Sequence, residues 1–341
     1  MDSFARPSIG RWLIAMPLAA LLGSGCGGKN SPAGFGSGSG GGGSGTSSGS
    51  TFGGSSGAAS NSSGATGFGS SGGTASTGND CASGVGQYIY VISDQNNLYA
   101  FDPTKVPSMS AFALIGPVVC PGGDSVNSMA VDRQGIAWVN YTGGSIFKVT
   151  TSSPVTCQST SFAPNQGGFT NELGMGFSSD AAGSSAETLF VSDNNGPGGH
   201  GVVGGGKGLG KIDLSTMMLT PVGGYTGANM GFNAELTGTS DGKLYGFFTT
   251  SPADLAEIEK TTGATPSPVS LPTVNASTGG YAFSFWGGDF YFYTQYSTPT
   301  TTVTHFHTAT GVAADVMSDI GFTIVGAGVS TCAPRVGAPA L

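Results

Sequence analysis

Two glutamates, Glu172 and Glu235, have surroundings that suit hydrolytic chemistry, because each begins or lies within a short apolar segment that predicts a β-strand. A pair of carboxyl groups can act as general acid and nucleophile on a glycosidic bond when their separation is right. Their distance along the chain does not determine that separation, and acids at such places also cap turns. A polysaccharide hydrolase or lyase that uses these two carboxylates is therefore the alternative function.

Two further groups of residues have side chains that can bind metals. His305 and His307 are two positions apart on a predicted strand, so their imidazoles share one face, but the spacing shows no third ligand. Asp193, Asn194 and Asn195 open a Gly-rich segment and offer the oxygen atoms that Ca²⁺ prefers. Neither group matches an established metal motif, so the sequence predicts no resident cofactor, with calcium at the second group as the alternative.

Apolar residues recur in a pattern that predicts a repeated third strand. An apolar residue, two variable residues and a second apolar residue occur five times, and the first residues are 48, 63, 46 and 48 positions apart. The copies begin at Leu98, Ile146, Leu209, Leu255 and Val303. We attribute the long spacing to an insertion loop, Asp193–Gly210.

A second pattern lies upstream of each copy, as an aromatic residue in a short apolar run. The aromatic residues are Tyr90, Trp138, Phe190, Tyr245 and Tyr291. Turn sequences precede several of these runs, among them the segments 132–135, 240–242 and 287–289, and they predict tight hairpins. Units of about 45–50 residues with about four strands are typical of propeller blades, so five copies predict five blades.

An additional short strand is predicted at the start of every repeat unit except the first. These strands cover residues 128–131, 173–177, 233–237 and 281–285. The first unit lacks such a strand, and Phe322–Ala327 at the end of the chain can supply it. The expected fold is all-β, a five-bladed β-propeller over residues 81–341 that the C-terminal strand closes, which leaves no open sheet edge.

Four cysteines of this domain predict two disulfides, for which three pairings are possible. The closed propeller favours Cys81–Cys332, because these residues flank the first and last strands. Cys120 and Cys157 are expected after the outer strands of neighbouring blades, which pairs them with each other. A zinc site is the alternative, although no Cys-x-x-Cys spacing is present. A different pairing would favour an open β-sandwich.

The amino-acid sequences of the repeats resemble those of quinoprotein-like propellers. The resemblance covers most of residues 86–331. It rests on three segments in which the end of a predicted strand or an acidic residue is followed by a turn: Leu98–Lys105, Ile258–Gly263 and Phe306–Gly311. The resemblance implies the propeller fold. It does not imply quinone binding, because only Trp138 and Trp286 lie in this region, and the stacked tryptophans of the quinone-binding members are missing.

The first 26 residues have the form of an export signal. Arg6 and Arg11 precede the apolar run Trp12–Leu22, which is too short to cross a bilayer and suits a secretory signal. Gly23–Gly25 then leads to Cys26, and this resembles the lipobox of bacterial lipoproteins. The resemblance implies a signal peptide over residues 1–25, a lipid on Cys26 and the outer membrane as destination. An ordinary signal peptide is the alternative.

Residues 26–80 are dominated by Gly, Ser, Thr and Ala, which bury too little apolar surface to fold, so they predict a disordered linker. The chain has a net charge of −8 and few, scattered Lys and Arg residues, which argues against nucleic-acid binding. The leading hypothesis is a monomeric, non-catalytic binding or scaffold propeller. It would contact the membrane only through its lipid and recognise a protein or a glycan.

Overall fold

The computed structural model describes residues 80–194, 205–275, 279–296 and 298–336, and the signal sequence, Cys26 and linker lie outside them. The described residues form twenty β-strands and five 3₁₀ helices of three residues each. The 3₁₀ helices are Val85–Gln87, Pro103–Lys105, Met109–Ala111, Gln166–Gly168 and Gly227–Asn229. Within these ranges, no helix has the length and apolar character needed to cross a membrane.

The strands form five four-stranded antiparallel sheets, which are the blades of a propeller. From the centre outward, blade 1 contains β20 (Ile324–Gly328), β1 (Ile89–Ser93), β2 (Asn97–Phe101) and β3 (Phe112–Pro117). Blade 2 contains β4 (Val126–Val131), β5 (Ile136–Tyr141), β6 (Ile146–Thr150) and β7 (Cys157–Ser159). Blade 3 contains β8 (Leu173–Ser179), β9 (Glu187–Asp193), β10 (Leu209–Asp213) and β11 (Met218–Gly223).

The last two blades have the same order. Blade 4 contains β12 (Ala234–Gly238), β13 (Leu244–Phe248), β14 (Ala253–Glu257) and β15 (Val269–Leu271). Blade 5 contains β16 (Tyr281–Trp286), β17 (Asp289–Thr294), β18 (Thr302–His307) and β19 (Val312–Met317). The predicted all-β propeller of five blades is thus confirmed.

The ring is closed by the strand nearest the C-terminus, as the repeat pattern predicts. β20 pairs with β1 in antiparallel register, with Tyr90 opposite Gly328 and Val91 opposite Ala327. Each inner strand packs against the inner strands of both neighbouring blades, and β16 of blade 5 packs against β20 of blade 1. Blade 1 is therefore assembled from both ends of the domain.

Some predicted strand limits are wrong by one or two residues. β8 begins at Leu173, so Glu172 precedes the strand. β12 begins at Ala234, opposite Phe248, and the side chain of Asn233 just before it bonds to Tyr281 and Thr249. The closing strand begins at Ile324, since Phe322 lies outside the ladder and stacks on Tyr99.

Both disulfides expected from the propeller topology are present. The Cα atoms of Cys81 and Cys332 are 6.1 Å apart, and those of Cys120 and Cys157 are 5.3 Å apart. Cys157 follows β6, the strand that the second repeat predicts, and it is the first residue of the short fourth strand β7, opposite Val149. Both bonds join parts of the chain that the blade arrangement brings together.

Aromatic and aliphatic side chains fill the space between blades. Between blades 4 and 5, the ring of Phe247 lies 4.8 Å from that of Phe292, and Phe283 stacks on Phe292. All three residues are fully buried. Such burial is the main favourable term for the fold, and it leaves the inner strands as the rigid frame on which polar groups are placed.

The strand directions give the propeller two distinct ends. The hairpin end carries the turns between the first and second strands of each blade, such as residues 132–135 and 287–288. The crossover end carries the connections from one blade to the next, together with the turns between second and third strands. Side chains that meet at one end therefore come from segments far apart in the sequence.

Candidate functional site

Glu235 lies on β12 and is only 3% exposed. Its Oε2 atom accepts a hydrogen bond of 2.6 Å from Ser128 Oγ on β4. The Ser128 hydroxyl in turn accepts one of 3.1 Å from the backbone N–H of Met175 on β8. Because blades 2 and 4 are not neighbours, the Glu235–Ser128 bond spans the inner strand of blade 3, and three blades meet at one carboxyl group.

A glycine on β8 allows the inner strands of blades 3 and 4 to lie this close together. A Cβ atom at Gly174 of β8 would collide with the carbonyl oxygen of Ala234 and would lie 3.2 Å from the Glu235 Cα atom. The absence of a side chain lets β8 and β12 approach to backbone contact. That contact brings the Glu235 carboxyl group within reach of Met175 and Ser128.

The surroundings of Glu235 favour its neutral form. Burial raises the pKa of this carboxyl group to about 8, against the opposing effect of hydrogen bonds from Ser128, Asn194 and the Met175 backbone. At neutral pH the group is therefore mostly protonated, so it can donate as well as accept a hydrogen bond.

The second predicted acid lies at the same end of the propeller. Burial raises the pKa of the half-buried Glu172, and its backbone carbonyl accepts a hydrogen bond of 3.1 Å from the N–H of Asn194. Burial, and then the charges of Glu235 and Glu172, place the pKa of Tyr281 well above its usual value. Both predicted glutamates are thus within electrostatic reach of one tyrosine at the crossover end.

The predicted calcium ligands are not brought together as a trio among the described residues. Asp193 ends β9, and its Oδ1 accepts hydrogen bonds from Thr170 N and Oγ1 at 3.0 and 2.7 Å. Its Oδ2 accepts one from Lys207 N at 2.9 Å. Asp193 therefore fastens two loops, and Asn195 lies outside the described residues. Asn194 instead faces Glu235.

Buried polar atoms without a hydrogen-bond partner among the described residues cluster at the crossover end. They belong to residues in its loops or at the strand ends beside them, among them Asn96, Tyr141, Asn171, Asn194 and Asn229, of which Asn229 contributes both amide atoms. An unpaired buried polar atom costs about 1–3 kcal/mol. These residues give the interior of this end amide and hydroxyl atoms with unused hydrogen-bonding capacity.

The rim of the same end exposes apolar surface. Tyr296 follows β17 and is 42% exposed. Met230 and Val119 are also exposed; Met230 lies on the connection that leads into β12, and Val119 lies on the one that leads into β4. An exposed tyrosine offers a flat face and a hydroxyl group, which suits contact with a sugar ring or a peptide. The crossover end thus combines a polar interior with an apolar rim.

The hairpin end carries a charged cluster that the sequence did not reveal. Arg133, which is buried, donates from Nη1 to Thr331 Oγ1 at 3.2 Å, and its backbone N–H donates to Glu187 Oε1 at 2.8 Å. Burial raises the pKa of Glu187 to about 7. Arg133 lies in a turn whose sequence indicates only a hairpin, so nothing in the pattern marks it as a residue that joins three blades.

The predicted histidine pair also lies at the hairpin end. His305 and His307 are on β18 of blade 5, and the structure adds a third side chain, that of Asp289 at the start of β17. Asp289 occupies a Gly-Gly-Asp turn, and its sequence position suggests only turn chemistry. The pairing of β17 with β18 is what brings the acid to the two imidazoles.

The comparisons with known proteins concern the fold alone. No protein-family model and no curated protein matches the chain. It is similar to a structure of the mitotic checkpoint complex, at 10% identity over 68% of this chain with a TM-score of 0.36. It is also similar to a structural-genomics protein from Bacteroides thetaiotaomicron, at 13% identity over 69% of this chain with a TM-score of 0.37.

A third similar structure is the extracellular domain of a hybrid two-component system from B. thetaiotaomicron, at 13% identity over 67% of this chain with a TM-score of 0.34. This chain spans 61%, 59% and 30% of those three proteins, respectively. Similarity at this level does not indicate a function.

Proposed function

We propose that this protein is an extracytoplasmic binding propeller that recognises a neutral, hydroxyl-rich glycan at its crossover end. The observation that carries the proposal is the cluster of buried, neutral, unpaired polar groups around Asn171, Asn194 and Asn229 beside the protonated Glu235. Amide and protonated carboxyl groups both donate and accept, as sugar hydroxyls do. The exposed ring of Tyr296 adds a surface on which a sugar can stack.

Binding accounts for this geometry better than hydrolysis. A glycosidase needs two carboxyl groups that both reach the scissile bond, one as acid and one as base or nucleophile. Glu235 Oε2 already accepts a hydrogen bond from Ser128, and the carboxyl group also bonds to Asn194, so Glu235 is held by protein groups and not presented to a scissile bond. In the binding proposal its part is to hold Asn194. The alternative, a polysaccharide hydrolase or lyase, is supported by one observation, since burial raises the pKa of both Glu172 and Glu235 and a raised pKa suits a general acid.

The binding test uses the full chain, one amide-to-acid variant and one acid-to-amide control on an array of neutral and acidic oligosaccharides. Wild type is expected to retain neutral glycans, and Asn194→Asp should weaken retention at least about tenfold, because it places a charge beside Glu235. Glu257→Gln changes only an exposed ion pair with Lys243 and should bind as wild type does. Retention of no glycan, or equal retention by wild type and Asn194→Asp, would refute the proposal.

The same samples distinguish the alternative function. Incubation with a retained glycan should release no new reducing ends if the protein only binds. Release by wild type that Glu172→Gln abolishes would favour the hydrolase. Release that this variant leaves unchanged would point to a contaminating enzyme.

We further propose that Cys26 carries a lipid and that residues 27–80 tether the propeller to a bacterial membrane, the outer membrane by resemblance. The signal-like first 25 residues support this, and the two disulfides agree with an oxidising compartment outside the cytoplasm. Detergent phase separation should place wild type in the detergent phase and Cys26→Ala in the aqueous phase. If both proteins were found in the aqueous phase to the same extent, the proposal of a lipid anchor on Cys26 would be refuted.

A further inference from the structure

The hairpin end of blade 5 brings together three side chains that neither the fold nor the proposed glycan site requires. His305 and His307 lie two positions apart on β18, so both imidazoles lie on one face of the sheet. In the register of β17 with β18, Tyr291 is opposite His305. Asp289 lies two residues before Tyr291, on the same face, and is thereby placed beside His307.

The ligand-type atoms of these three residues converge on one point. Asp289 Oδ2 lies 3.0 Å from His305 Nε2 and 2.9 Å from His307 Nδ1. All three atoms fall within 4.8 Å of one another. Ligands of tetrahedral zinc, each about 2.0–2.1 Å from the metal, are about 3.3 Å apart, so the two Asp289–imidazole distances would need to widen by only a few tenths of an ångström to admit an ion.

Two of the three side chains are held in place by neighbours. The other carboxylate oxygen of Asp289, Oδ1, accepts hydrogen bonds from Thr308 N at 2.9 Å and from Thr308 Oγ1 at 3.2 Å. The His305 ring stacks on Tyr291 with centroids 4.6 Å apart and planes 3° apart. Supporting contacts of this kind orient ligands before a metal arrives, which raises affinity.

The third side chain leaves the site open to solvent. His307 is 57% exposed, whereas Asp289 and His305 are at most 20% exposed. Three protein ligands with one side facing water leave room for a fourth ligand, either water or a group from a binding partner. Two imidazoles with one carboxylate suit zinc, copper(II) or nickel(II) better than calcium or magnesium, which prefer oxygen ligands.

We propose that Asp289, His305 and His307 form an open binding site for a divalent transition metal, zinc in the first place. The site lies at the opposite end of the propeller from the crossover-end groups. It is therefore independent of the proposed glycan binding, and either proposal can fail without the other.

The experiment is a zinc titration of the full chain, carrying no histidine tag, by isothermal calorimetry in a non-chelating buffer. Wild type should bind one equivalent of zinc, and calcium should produce no heat at the same concentration. His307→Ala and Asp289→Asn should each weaken zinc binding at least about tenfold. His200→Ala is the matched control, because His200 is the third of the three histidines in the chain, and it should bind as wild type does.

Two further measurements guard against misfolded variants and adventitious binding. Circular dichroism without metal should be the same for wild type and His307→Ala, since the latter side chain is largely exposed. Cobalt(II) should give a visible absorption band in wild type that is lost in Asp289→Asn. Failure of wild type to bind zinc, or equal binding by wild type, His307→Ala and Asp289→Asn, would overturn the proposal and leave a hydrogen-bonded His–Asp–His cluster without a metal.

Discussion

Glu235 links the stability of the fold to pH through a single buried carboxyl group. Its pKa is raised to about 8 in the folded protein, whereas an exposed glutamate in the unfolded chain titrates near its usual value of 4.5. Between these values the folded state holds a proton that the unfolded state has released. The stabilisation is therefore complete below about pH 4.5, and it falls as the pH rises through about 8.

Replacement of Glu235 by glutamine should remove this dependence. The amide is close in shape to the protonated carboxyl group and cannot ionise, so Glu235→Gln should gain thermal stability relative to wild type as the pH rises from about 5 to about 9. The measurement is the melting temperature of both proteins across this range, with Glu257→Gln as the exposed control. Parallel curves for wild type and Glu235→Gln would show that the carboxyl group is already ionised at neutral pH in the folded state.

Single residues were only partly predictable from the sequence. Glu172 and Glu235 stood out because an acid inside or beside an apolar strand is unusual, and both lie at the crossover end. Asp289 and Arg133 were missed because their turns carry ordinary hairpin signals. Their partners, His307 and Thr331, are brought to them by strand pairing and ring closure, which local spacing does not encode.

At the scale of elements, the inner strands depend on glycines that permit backbone contact. Gly174 of β8 is the clearest case, because a Cβ atom there would meet the carbonyl oxygen of Ala234 on the next blade. Backbone atoms cannot move aside as the end of a flexible side chain can. The inner strands are for this reason placed by steric limits as well as by the hydrogen bonds within each blade.

Gly174→Ala should therefore destabilise the protein by at least about 2 kcal/mol, since an added methyl group in a tightly packed interior forces the strands apart. Gly224→Ala is the matched control, because a Cβ atom there has no neighbour within 4 Å, and its effect should stay within about 0.5 kcal/mol. Urea unfolding followed by circular dichroism measures both. A near-neutral Gly174→Ala would mean that β8 and β12 can separate without cost.

Elements were more predictable than residues, because each blade repeats the same alternation of apolar strands and polar turns. The aromatic positions Tyr90, Trp138 and Tyr291 all lie on second strands, as their spacing indicates. The errors concern strand ends. The apolar pattern does not determine where backbone pairing stops, and a fourth strand of three residues such as β7 leaves too weak a pattern to locate.

At the scale of the whole molecule, the closed ring requires that the two ends of the domain remain together. β20 supplies the inner strand of a blade whose other strands are β1 to β3. The sequence predicted this closure because the first repeat lacks an inner strand and the C-terminal segment offers one. It did not predict that Arg133 would join blades 1, 2 and 3 beside the same seam.

The Cys81–Cys332 disulfide should contribute more to stability than the Cys120–Cys157 disulfide. The two bonds close loops with sequence separations of 251 and 37 residues. In the chain-entropy model the longer loop corresponds to about 5 kcal/mol and the shorter one to about 4 kcal/mol, because a cross-link restricts the unfolded chain more when it joins distant residues. Loss of the first bond also frees the seam where β20 meets β1.

The comparison needs two double variants, Cys81→Ala with Cys332→Ala and Cys120→Ala with Cys157→Ala, so that neither leaves a free thiol. Urea unfolding of each under non-reducing conditions should show the larger loss of stability for the first pair, and hydrogen exchange should show faster opening of β20 and β1 in that variant alone. Equal losses with β20 still protected would mean that strand pairing and Arg133 hold the seam without the disulfide. The covalent bond would then restrict the unfolded chain without being needed to keep the propeller closed.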